Sequence, residues 1–244
     1  MKLGRLPHNP AAIAAAPAHR FGVIPPPTTL DRSAISFTPG LYDNNSLPDC
    51  SAAGLANAAM AIAALNGYEL LIEADKVPIF YSLCVNSAPT PAAMEATDGA
   101  VLLDVLARQA VQGFDIGPQT LYGRYGTVQL TRTALALSLA RLGVGYWGVT
   151  LHDRDMQTFG DRWDVMPGRD DGAVVGGHCV VAWDFTGLGD GDTVRVGTWG
   201  RWQVATWNWV HARLDEAHAL VFRQLARADG FYNGVTADGL VAEL

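Results

Sequence analysis

The chain has 244 residues, enough for one large domain or two small ones. Hydrophobic residues make up 49% and charged residues 17%, so a sizeable core can form, and the formal net charge of −7 argues against non-specific binding to nucleic acid or anionic membrane. No apolar run reaches the length of a membrane span, and three cysteines, Cys50, Cys84 and Cys179, are too few and odd in number for a disulfide framework.

Residues 1–40 are rich in Pro and Ala, with Pro25, Pro26 and Pro27 in the middle. They read as an extended, polyproline-like arm that lies on the domain or reaches a neighbour. Phe21, Val23, Ile24 and Phe37 offer apolar anchors; a disordered leader is the alternative. Pro7, Pro10 and Pro17 interrupt the first segment, which lacks a continuous apolar stretch, so no signal peptide is expected.

From Tyr42 to Gly67 the texture changes sharply. Asp43, Asn44, Asn45, Ser46, Pro48 and Asp49 are turn or capping residues. A Pro-free run rich in Ala, Leu, Ile and Met follows and ends at Asn66-Gly67, which reads as a buried helix with a glycine stop. Cys50 opens that helix, where free N–H groups and the helix dipole favour a thiolate. A small core residue at a helix start is the plainer reading. Asp75–Ser87 suggests a short helix with Cys84 in its packing face. Val101, Leu102, Val105, Leu106 and Val111 follow helical spacing up to Gly113, and Leu135, Leu139 and Leu142 share a face of a helix ending at Gly143.

From Val144 the period becomes that of strands. VGYWGVTL is one; Asp153–Asp171 is a polar surface loop; Gly172–Thr186 is a second strand. Residues 187–192, with Asp190 and Asp192, form a tight turn rather than a calcium loop. Asp192–Trp199 is the partner strand, Thr206 caps a short helix to Leu214, and His218–Phe222 is a last strand. Helices first and an antiparallel sheet after them make an α+β order. No CxxC or HExxH occurs, so neither a metal nor a cofactor is expected.

Cys50 at the start of a long helix and Gly176-Gly177-His178 opening a strand resemble the papain-like cysteine peptidases. The family has an amide side chain six positions before the nucleophile, which helps bind the oxyanion; Asn44 stands there. It has Asn-Ser-Trp-Gly after the base histidine; Trp199-Gly200 match, with Trp199 shielding the site, but the Asn position is Gly197. DNNSLPDCSAAG is also similar to the "GND-x-LGDC" variant found in bacterial and phage-borne proteins. The resemblance covers roughly residues 40–224. It implies a two-lobed domain over 41–244, with a helical lobe to about 143, a β lobe over about 144–224 and a tail after it.

The implied activity is hydrolysis of a peptide or amide bond through a Cys50 thioester, with His178 as base, within hydrogen-bond reach of Cys50, and Asn44 in the oxyanion hole. Gly197 leaves the orienting side chain to water, a carbonyl or a residue from elsewhere such as Asn208. Cys50 is expected to have a depressed pKa, and Cys179 to pack on the opposite side of its strand. The partners are a peptide or protein substrate and, through the arm, other subunits of a large assembly. The alternative is a non-catalytic papain-fold component of a phage-type particle. The chain would be cytoplasmic when made, and virion-associated in that alternative.

Overall fold

The computed structural model describes residues 1–18 and 24–244. Phe21 and Val23 lie outside the described residues. The first helix, α1 (Pro10–Ala15), interrupts the stretch expected to be extended: Asn9 Oδ1 accepts from the Ala11 N–H at 2.9 Å and Pro10 occupies the first turn. The helical lobe then contains α2 (Cys50–Leu65), α3 (Lys76–Cys84), α4 (Pro91–Glu95) and α5 (Leu102–Gln112). A two-stranded ribbon, β1 (Phe114–Asp115) with β2 (Thr120–Leu121), closes it. Helix α2 is buried nearly all round because almost every side chain is small or apolar. Gly113 ends α5 with φ 81°, a left-handed conformation that favours glycine.

The rest of the chain builds the main sheet and its cover. Its elements are β3 (Gly123–Thr127), α6 (Arg132–Leu142), β4 (Gly145–His152), α7 (Asp153–Gln157), β5 (Arg162–Trp163), β6 (Val174–Phe185), β7 (Thr193–Thr198), β8 (Arg201–Thr206), α8 (Trp207–Arg213) and β9 (Leu214–Phe222). Helix α9 (Ala237–Glu243) packs near the end of the chain. Strand order is β3-β9-β4-β6-β7-β8-β5, antiparallel except between β5 and β8. The α+β plan with an antiparallel sheet is therefore present, and β6 lies at its centre with α2 packed across it.

Close approach of α2 to β6 depends on one residue: a Cβ on Gly54 would stand 2.6 Å from Cys179 Sγ. Cys179 is thus a packing residue between the lobes. One further point differs from expectation. The segment after β4 is not all surface loop: Asp155 is 1% exposed, holding Trp209 Nε1 at 2.8 Å and Arg213 Nε at 2.9 Å. Polar composition hid it, because a carboxylate is buried only where such donors meet it. The tryptophans make separate contacts. Trp209 stacks on Trp163, Trp202 meets Phe37, and Trp199 lies over His178.

Candidate active site

Thr206 caps α8 as expected, but Asp49 at the start of α2 makes no side-chain cap. Its carboxyl is fully buried, with Oδ1 accepting from Asn44 Nδ2 at 3.0 Å and Oδ2 unpartnered. Burial pushes the Asp49 carboxyl up to about 8. It is therefore mostly neutral at pH 7, which limits its repulsion of charge on Cys50. The other Asn44 Nδ2 bond goes to the Leu47 carbonyl at 3.1 Å, so both amide hydrogens are engaged within the turn. Asn44 and Cys50 are 2% and 1% exposed.

His178, also 1% exposed, is held from two sides. Its Nε2 is 2.6 Å from Thr198 Oγ1, and the Trp199 ring stacks on the imidazole with centroids 4.0 Å apart and planes 19° from parallel. The orienting contact comes from Thr198, next to the Gly197 position. Asn208 does not supply it: it sits on α8, with its backbone N–H bonded to the Asp190 carbonyl. Gly197 itself is packed, since a Cβ there would stand 2.8 Å from Pro39 Cγ. Among the described residues, His178 Nδ1 has no hydrogen-bond partner, so the expected contact with Cys50 is not made.

Residues 2–6 pack beside both groups. They run through the cleft between the lobes. The Gly4 and Arg5 N–H groups donate to the Gly177 carbonyl at 3.3 and 3.1 Å. On the other side, Ala100 N–H donates to Gly4 O at 2.8 Å and Leu6 N–H to Ala100 O at 3.0 Å. Lys2 N–H donates to Asn44 O at 3.1 Å, and Trp199 Nε1 donates to Lys2 O at 3.2 Å. Space for this strap comes from missing side chains: a Cβ on Gly4 would lie 1.9 Å from Pro48 O, one on Gly177 2.3 Å from Arg5 O, and one on Gly99 2.0 Å from Gly4 O. The backbones of Gly4 and of Cys179, the residue after His178, both reach the Cys50 thiol.

The electrostatics follow from this closure. Burial pushes the Cys50 thiol up to about 12, although the Cys179 and Gly4 backbones favour the thiolate. Burial, then the Arg5 cation, pull His178 down to about 3. The expectation of a depressed Cys50 pKa is overturned in this closed state, since desolvation outweighs the helix terminus. Cys84 is likewise pushed up to about 12 by burial. Sequence reasoning missed Thr198 and the strap. The hydroxyl beside Gly197 was a readable signal; nothing local marks residues 2–6 as a cleft occupant.

The described fold has relatives among solved structures. Xylellain, a cysteine protease from Xylella fastidiosa, aligns with a TM-score of 0.64 at 12% identity, covering 89% of this chain and 95% of that one. Procathepsin B S9 from Trypanosoma congolense aligns at 0.57 and 12% identity, covering 89% and 85%. Digestive procathepsin L 3 of Tenebrio molitor larval midgut aligns at 0.56 and 9% identity, covering 83% and 72%. The fold is papain-like. No protein-family model matches the chain, and no curated protein matches it. Within this papain-like fold, Cys50 begins the long helix α2 and His178 lies on the central strand β6. No helix among the described residues is long and apolar enough to cross a membrane.

Proposed function

We propose that the protein is a papain-like cysteine peptidase or amidase, closed here by residues 2–6. The carrying observation is His178: Thr198 fixes Nε2, Trp199 covers the ring, and Nδ1 is left without a partner. With the strap displaced, Nδ1 takes the Cys50 thiol proton. The sulfur attacks a carbonyl carbon, the amine leaves with that proton, and water then hydrolyses the thioester. The Cys50 N–H supplies an oxyanion donor; Asn44 joins it only if its amide leaves Leu47 O or Asp49. The partners are peptide or protein substrates.

A second reading keeps the fold as a non-catalytic part of a phage-type assembly, with the arm touching other subunits. It is favoured by the buried thiol at about 12. One full-length variant separates the two. Gly4→Val cannot seat its side chain 1.9 Å from Pro48 O, so it releases the strap and leaves every catalytic group in place. It should label at Cys50 with iodoacetamide near pH 6 and hydrolyse casein, and adding His178→Ala should abolish both. A folded Gly4→Val protein whose three cysteines label slowly and equally supports the assembly reading.

A further inference from the structure

Arg5 is the best-held residue of the strap, and its pocket exists apart from it. The guanidinium is 3% exposed. Its Nη1 donates to Glu216 Oε1 at 2.9 Å, and its Nη2 to Val149 O at 3.3 Å, Thr150 Oγ1 at 3.2 Å and Asp215 Oδ2. The walls come from the β lobe alone: Glu216 and Asp215 on β9, and Thr150 and Val149 on β4. Gly148 opens the way, since a Cβ there would stand 2.8 Å from Arg5 Cδ and 2.6 Å from Glu216 Cγ. Glu216 is 1% exposed, and His218 Nε2 meets its other oxygen at 3.1 Å.

We propose that this pocket is a substrate subsite for an arginine side chain, carried next to the residue whose backbone lies over Cys50. The inference rests on the hydrolase reading, because substrate reaches the pocket only where the strap has left. Its chemistry is specific. The two terminal nitrogens of one planar fork address Glu216 on one side and Asp215, Thr150 and Val149 O on the other. A lysine ammonium is one point charge and cannot span both sets, and citrulline has the shape without the charge. A buried carboxylate without its cation is strongly unfavourable, so an emptied pocket rejects neutral and acidic side chains.

The test uses the full chain carrying Gly4→Val and Arg5→Ala, which frees both cleft and pocket. Fluorogenic peptide amides differing only in Arg, Lys or citrulline beside the cleaved residue are compared on either side of it. The Arg peptide should exceed the citrulline peptide by at least 100-fold in kcat/KM. Adding Glu216→Gln should cut that ratio below tenfold, by a loss on the Arg peptide and a gain on the citrulline peptide as the buried charge is removed. A second readout does not need turnover: N-acetylargininamide at millimolar concentration should raise the melting midpoint, N-acetylcitrullinamide should not, and Glu216→Gln should remove the difference. If no peptide is cut but argininamide still stabilises, the hydrolase reading falls and the arginine pocket stands. Equal treatment of arginine and citrulline in both readouts overturns the pocket. Should the double variant not fold, Arg5→Met alone carries the same two readouts.

Discussion

His178 Nε2 and Thr198 Oγ1 are 2.6 Å apart, a buried pair between neighbouring strands that settles which imidazole nitrogen remains available. A hydroxyl here orients the ring without adding a charge. Thr198→Ala in the strap-released protein should therefore lower kcat about two- to tenfold, as expected for a neutral hydrogen bond of about 0.5–1.5 kcal/mol. KM should change little, and Thr198→Ser should restore most of the rate. Steady-state kinetics on the three proteins decides it; an unchanged kcat in Thr198→Ala would remove Thr198 from the positioning role.

Strap closure should depend on pH through His178. Its pKa is about 3 when buried beside Arg5 and returns towards the ordinary 6.5 once water and distance replace that cation. The open form then binds more protons than the closed form between those values. Above about pH 6.5 His178 makes no difference to closure; below it, closure weakens by up to tenfold per pH unit. Amide hydrogen exchange at Arg5, Leu6 and Ala100, corrected for intrinsic rates, should show protection falling from pH 7 to 4. His178→Gln should flatten that slope above pH 5, and a slope unchanged by this substitution would assign it elsewhere. Glu216 adds a term only at lower pH. Burial raises its pKa, but hydrogen bonds from His218 and Arg5 outweigh this and hold it below the ordinary value.

Gly54→Val should destabilise the protein by roughly 1–3 kcal/mol through overpacking. The added Cβ alone would meet Cys179 Sγ at 2.6 Å and Tyr146 Cε2 at 3.2 Å. Denaturant melts compare it with the wild type, and Cys179→Ala in the same chain should recover part of the loss. Absence of any recovery would mean the clash lies elsewhere.

Arg32 joins residues before the domain to its core. Its guanidinium donates to Leu139 O at 2.7 Å and to Gly143 O at the end of α6, and to Trp183 O on β6 at 2.5 Å. Arg32→Met removes all three bonds, Leu139 O keeping only the Gly143 N–H, and should cost roughly 3 kcal/mol in a chemical melt. A loss below 1 kcal/mol would show that water replaces the guanidinium.

Much of the architecture was legible locally. Apolar period and glycine stops marked α2, α5 and α6, and Thr206 marked the start of α8, because these signals act within a few residues. Cys50 at the first turn of α2 and His178 on a strand were readable for the same reason. The short strands β1, β2 and β5 were not, since two-residue ladders carry no period. Nor was α1, where Asn9 and Pro10 act as a helix start inside a Pro-rich stretch.

The sequence by itself determined the order of elements, the residue at the head of the long helix and the histidine that would face it. Only the tertiary structure decided their state. Arg5 and Glu216 are 211 positions apart, and no local pattern links them. Their pairing anchors a strap whose Gly4 backbone reaches Cys50 and whose N–H groups bond Gly177 beside His178, and both side chains are buried. Desolvation depends on everything packed around an atom, not on its neighbours in the chain. It therefore raised the thiol and lowered the imidazole, against the direction that the helix terminus alone implied.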